Sequence, residues 1–175
     1  IGDVLSNILS FNNINVTKEY YINDHGSQID NFSRSVFLRI QELVNGKEFP
    51  FNNSELYPGT YILDIAKKIV KNNKDLNFDD YDKIKEKLSV LSIYESMNLI
   101  KEDLKKLGIE HDNFVSEKKL VTTKEVERAI KKLEDKKLIY KGKIRAPIKE
   151  KTNKFEEREQ LLFKSTEFGD DKDRA

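Results

Sequence analysis

Glu117 follows a short strand-like run around Asn113–Val115, which leads to Ser116-Glu117. A carboxylate at the end of a strand can face a ligand rather than a core. A planar guanidinium would match it through two parallel hydrogen bonds. Each charge-assisted bond of that kind is worth roughly 1.5–3 kcal/mol net, enough to select a cation over a neutral analogue. The plainer alternative is an acidic residue leading into the helix near Thr122. A second place for chemistry is the turn Asn23-Asp24-His25-Gly26 with Gln28 just beyond it. It follows Val16–Ile22, a stretch rich in β-branched and aromatic residues that reads as a strand. In βαβ units ligands gather at the carboxyl ends of strands, so this turn is where a site is expected. For His25 a turn or capping role stands beside a role in that site.

Other chemistries find less support. There is no G-x-G-x-x-G and no Walker-type loop, and a single Gly26 before a helix reads more readily as a turn glycine than as a phosphate cradle. Asp79-Asp80 and Asp170-Asp171 sit among lysines and read as solvated. No nucleophile elbow occurs. The basic stretch Lys131–Lys154 has few aromatics, which favours a solvated helix face and hairpin edge over a nucleic-acid platform. His111, beside Asp112, reads as an exposed loop residue.

The chain has 175 residues, with 32 Lys+Arg against 31 Asp+Glu, a net charge of +1. No large field points to a nucleic-acid or membrane partner. Charged residues make up 36% and hydrophobic ones 37%, so the core must be thin or shared. Zero cysteines exclude disulfides, thiol nucleophiles and thiolate metal sites, and two histidines alone cannot build a His-rich metal centre. No run approaches the roughly 18 apolar residues that a membrane helix needs. The chain opens Ile1-Gly2-Asp3 with an apolar helical pattern already under way (Val4, Leu5, Ile8, Leu9) and stops without a closing element. Both ends read as cut.

These sites need elements to hold them. Ile29, Phe32, Val36, Phe37, Ile40 and Val44 mark one face of a helix that Gly46 can close. Tyr57-Pro58-Gly59 signals a turn. Helical patterns follow in Ile62, Ile65, Ala66 and Ile69, then in Tyr81, Ile84, Leu88 and Leu91. A separate helix is expected from Ile93, Met97, Ile100, Leu104 and Leu107, ending at Gly108. Thr122-Thr123-Lys124-Glu125 has the form of a capping box for a helix burying Val126, Ala129, Ile130 and Leu133. Leu138-Ile139-Tyr140, a turn at Lys141-Gly142-Lys143, and Ile144 onward read as a hairpin. Leu161-Leu162-Phe163 is a further strand.

Taken in order, several segments resemble the catalytic domain of arginyl-tRNA synthetases, most closely the bacterial branch. They are Glu19-Tyr20-Tyr21-Ile22-Asn23-Asp24-His25-Gly26-Ser27-Gln28-Ile29, Arg34-Ser35-Val36, and Tyr57-Pro58-Gly59-Thr60-Tyr61. Next come Ile100-Lys101-Glu102-Asp103-Leu104, Leu107-Gly108-Ile109, His111-Asp112 and Ser116-Glu117. The last are Arg158-Glu159-Gln160-Leu161-Leu162-Phe163-Lys164-Ser165-Thr166 and Phe168-Gly169-Asp170-Asp171-Lys172-Asp173-Arg174.

The resemblance implies a class I aminoacyl-tRNA synthetase with a Rossmann-type core, which joins arginine to ATP and passes the arginyl group to its tRNA. It implies that Glu117 receives the arginine guanidinium. Asn23, Asp24, His25, Gly26 and Gln28 would form the active-site wall, and Asp170, Asp171, Asp173 and Arg174 would take an interstrand or loop-ordering role. The family's H-x-G-H and K-M-S-K-like elements are missing from these residues. The resemblance places the first before Ile1, and the second beyond Ala175 together with a tRNA-binding helical bundle and the helix that completes the arginine pocket. The chain is thus expected to be an internal fragment, inactive alone. ATP and magnesium would serve as substrates of the parent enzyme, a cytoplasmic monomer that uses neither DNA nor membrane. The fold class expected is α/β and helix-rich: a first part of the core in residues 1–46, a helical insertion in 47–91, and a continuation with a hairpin in 92–175. The competing reading is a free-standing helical module that binds tRNA or protein.

Overall fold

A parallel strand pair can be joined only by a long crossover, and here that crossover is most of the molecule. The computed structural model describes residues 1–143 and 159–174. Strand β1 (Glu19–Ile22) pairs in parallel with β2 (Asn113–Ser116), with Glu19 opposite Asn113 and Ile22 opposite Ser116. A helix α1 (Gly2–Phe11) precedes β1. Between the strands run α2 (Ser27–Asn45), α3 (Thr60–Asn72) and α4 (Tyr81–Lys106); α5 (Glu117–Thr122) starts directly at the end of β2. The α/β, helix-rich class expected from the sequence is what the chain adopts.

The chain divides into two compact units, Ile1–Lys118 and Lys119–Ala175. The core of the first lies among the crossover helices. Val36 and Ile40 from α2, Ile62, Ile65, Ala66 and Ile69 from α3, and Leu88 from α4 are all buried. Each large aliphatic side chain so buried contributes about 1.5–3 kcal/mol. All four α3 positions read from the period are buried, whereas Val44, expected on the buried face of α2, is exposed. Gly46 closes α2 in the left-handed conformation, φ 66°, which costs glycine nothing.

The sequence pattern divides α4 in two, but it is one helix of 26 residues. The apolar stripe changes phase between Leu91 and Ile93, and no Gly or Pro lies between them to stop the helix. Its first half packs on α2 and α3; Ile93, Met97 and Ile100 in its second half look toward β1 across a cleft. Asp80, read as solvated, is the N-cap of α4 and accepts from the Asp82 N–H at 3.0 Å. His111, expected on an exposed loop, is instead half-buried. Its ring stands edge-on to Tyr20, with centroids 5.4 Å apart, and lies 6.0 Å from Phe114.

In the second unit α6 (Glu125–Asp135) leads to β3 (Ile139–Lys143), which pairs antiparallel with β4 (Glu159–Phe163). The expected turn at Lys141-Gly142-Lys143 lies inside β3, where Gly142 faces Gln160. A Cβ there would lie 2.8 Å from Leu162 Cδ1 and 2.9 Å from the Tyr140 ring, so the glycine makes room for neighbours rather than for a turn. Ile144 onward, the second half of the expected hairpin, and most of the basic stretch's end lie outside the described residues. The capping box does not form. The Thr122 and Thr123 hydroxyls both donate back to the Lys119 carbonyl, and Lys124 enters α6 at φ 59° without a side-chain cap. The preceding short helix α5 has already claimed those threonines. Val126 is exposed, and no residue of α6 is fully buried.

Candidate ligand site at the carboxyl ends of the parallel strands

The register of β1 and β2 brings the two regions singled out in the sequence to the same end of the sheet. Side chains alternate between the faces of a strand, so Tyr21, opposite Val115, shares a face with Glu117. The Tyr21 hydroxyl lies within interaction range of the Glu117 carboxylate. Partial desolvation, then that interaction, then the charges of Glu117 and Asp24 push the Tyr21 phenol above its ordinary range and keep it a neutral donor. Glu117 is half-buried and is the first residue of α5.

On the opposite face Asp24 reaches β2. One carboxylate oxygen accepts the Ser116 hydroxyl at 2.6 Å and the other accepts the Lys118 backbone N–H at 2.8 Å. Nearby, the Asn23 amide donates to Gln28 Oε1 at 3.3 Å, which closes the turn across the start of α2. Gly26 enters that helix at φ 90°, a value that favours glycine.

Two clefts flank this strand end. The first, of about 550 Å³, is walled by aromatic and aliphatic side chains, among them Tyr20, Tyr21, Phe32, Tyr57, Tyr61 and Met97, with Asn23 and Gln28 at its polar rim. The second, of about 850 Å³, is lined by Asp24, His25, Gly26, Lys85, Lys87 and Lys118, among others. The candidates therefore divide: Asn23 and Gln28 face one cleft, Asp24, His25 and Gly26 the other. Glu117 lines neither directly and meets the first through Tyr21. Tyr21 was not singled out in the sequence, because only the strand register puts it beside Glu117. Among the described residues, no three His, Asp or Glu side chains gather to hold a metal ion.

Asp170, Asp171, Asp173 and Arg174 form a separate ordered loop in the second unit. Arg174 grips Asp170 with two bonds of 2.7 Å and Asp171 with a third. Asp173 accepts from the Thr166 N–H and hydroxyl and from the Tyr140 hydroxyl. The loop-ordering role expected for this segment matches these contacts.

No family model matches the chain. In fold it is similar to a Campylobacter jejuni protein assigned as an arginyl-tRNA synthetase, with a TM-score of 0.73 at 24% identity, covering 99% of this chain and 34% of that one. The likeness shows a shared α/β fold with about a third of that protein. The sequence relatives are more specific. The chain is 56% identical over 175 residues to the arginine–tRNA ligase of Pelagibacter ubique. It is 46% identical over 177 residues to that of Anaplasma phagocytophilum and 45% over 175 residues to that of Ehrlichia chaffeensis. It spans 30% of the length of each of these relatives. Along its whole length the chain is similar to one part of these arginine–tRNA ligases.

Proposed function

We propose that this chain forms one wall of the amino-acid site in an arginine–tRNA ligase, which activates arginine with ATP and passes the arginyl group to its tRNA. The observation that carries the reading is similarity along the whole chain to enzymes of that name, with Glu117 at a parallel strand end beside the Asn23–Gln28 turn. Glu117 accepts the arginine guanidinium in a forked pair of hydrogen bonds, and Tyr21 holds the carboxylate in orientation. Asn23, Asp24, His25, Gly26 and Gln28 shape the wall. ATP is a substrate, and magnesium accompanies its phosphates. The 175 residues contain no H-x-G-H and no K-M-S-K pattern, so in this reading other parts of the enzyme stabilise the charge that develops on the phosphates. The parent enzyme works as a cytoplasmic monomer, without DNA or membrane. No helix among the described residues is long and apolar enough to cross a membrane.

The test is Glu117→Gln in the full-length enzyme. The arginine KM is expected to rise by on the order of tenfold or more, with the ATP KM unchanged. An unchanged arginine KM removes Glu117 from the pocket. The isolated chain is expected to show no arginine-dependent pyrophosphate exchange.

A further inference from the structure

Asp24 and the Ser116–Lys118 segment meet only because β1 and β2 pair in register. The Asp24 carboxylate accepts from Ser116 Oγ at 2.6 Å and from the Lys118 N–H at 2.8 Å, the two residues that flank Glu117 in sequence. Ser116 ends β2 and Lys118 lies in the first turn of α5, so the chain turns from strand to helix at Glu117. A short helix has too few internal bonds to fix its own first turn. A carboxylate spanning both flanks supplies that constraint from the turn that follows the neighbouring strand, and a negative charge is favourable beside backbone N–H groups.

We propose that Asp24 is the positioning residue for Glu117: it touches no ligand itself and holds the strand-to-helix turn so that the Glu117 carboxylate stays directed at the arginine guanidinium. The proposal rests on the reading of Glu117 given above. It requires two acceptors at Asp24. An asparagine would keep one oxygen and turn an NH2 group on the second donor, so the isosteric change is not a conservative one here.

The experiment uses the full-length enzyme with Asp24→Asn, Ser116→Ala, Ser116→Thr, Glu117→Gln and the double variant Asp24→Asn/Glu117→Gln. Asp24→Asn is expected to raise the arginine KM by on the order of tenfold, with the ATP KM held within about twofold. Ser116→Ala is expected to give a smaller rise, and Ser116→Thr, which keeps the hydroxyl, to restore the value. Because Asp24 acts through Glu117, the double variant is expected to match Glu117→Gln within about twofold. Independent, multiplying effects in the double variant, or an arginine KM that Asp24→Asn leaves unchanged, overturns the proposal. Hydrogen exchange at the Lys118 amide separates this outcome from failure of the pocket reading. Exchange that speeds up in Asp24→Asn while Glu117→Gln leaves the arginine KM unchanged keeps the tie and rejects its ligand. Exchange that is unaltered in Asp24→Asn rejects the tie.

Discussion

The Arg39 guanidinium lies 4.0 Å above the centroid of the Phe49 ring. Phe51 lies 4.9 Å from the same group, Arg39 Nη1 donates to Glu42 at 2.7 Å, and Nη2 donates to the Pro58 carbonyl at 2.9 Å. Arg39 is only 5% exposed. One buried cation thus ties α2 to the long connection that carries the Tyr57-Pro58-Gly59 turn. Replacing it with Ala removes the ring contacts and orphans the Pro58 carbonyl, while Glu42, which is partly exposed, can turn to water. Arg39→Ala is expected to cost about 2–3 kcal/mol, read as a lowered urea midpoint. Arg39→Lys is expected to recover less than half, because an ammonium cannot reproduce the fork.

Ser92 is fully buried on α4, and its hydroxyl has no hydrogen-bond partner. An unmet buried hydroxyl opposes folding, and Ala is the better helix former. Ser92→Ala is therefore expected to be neutral or to stabilise by up to about 1 kcal/mol. A measured loss above that would show that the hydroxyl has a partner in solution.

Tyr21→Phe removes the hydroxyl that orients Glu117 and leaves the ring in place. If Glu117 holds arginine, the arginine KM is expected to rise about three- to tenfold, less than the full worth of a hydrogen bond to a charged group because Tyr21 acts on arginine only through Glu117, with kcat little changed. Because the Tyr21 phenol is pushed above its ordinary range by partial desolvation and by Glu117, it stays protonated across the neutral range. The wild-type arginine KM should then show no pH dependence from this group between about pH 6 and 9.

The loop at 165–174 gives a pH prediction of definite sign. Hydrogen bonds from Arg174 first, then from the Asp171 backbone, hold the Asp170 carboxyl well below the usual carboxylate range. Bonds from the Thr166 side chain and backbone, then from Tyr140, lower that of Asp173. A lowered folded-state pKa means that the charged form favours the ordered loop. The contribution is complete above the ordinary Asp value of about 3.9 and is lost as pH falls below it toward the depressed values. Exchange at the Thr166 amide, which donates to Asp173 at 3.1 Å, should be slow relative to a free amide at about pH 6 and lose its protection only as pH falls below the ordinary Asp range. Protection that is unchanged at low pH would contradict the assignment.

The amino-acid order by itself determined the helical faces of α2 and α3, the glycine stops at Gly46 and Gly108, the strand before Asn23, and the absence of thiol chemistry. Each of these is local, set by the 3.6-residue period, by backbone freedom or by composition, and so can be read a few residues at a time. The motif series also pointed to the enzyme family, and with it to Glu117. Where two local signals competed, the reading failed. A shift of apolar phase in α4 looked like a break, and the threonines before α6 looked like a cap although α5 had already used them. Only the tertiary structure decided that Asp24, from the turn after β1, binds the two residues beside Glu117, that Tyr21 meets the Glu117 carboxylate, and that His111 packs its ring against Tyr20. Those contacts join residues 90 or more positions apart through the parallel register of β1 and β2. A one-residue slip in that register would send each side chain to the opposite face, and no stretch of sequence read alone encodes it.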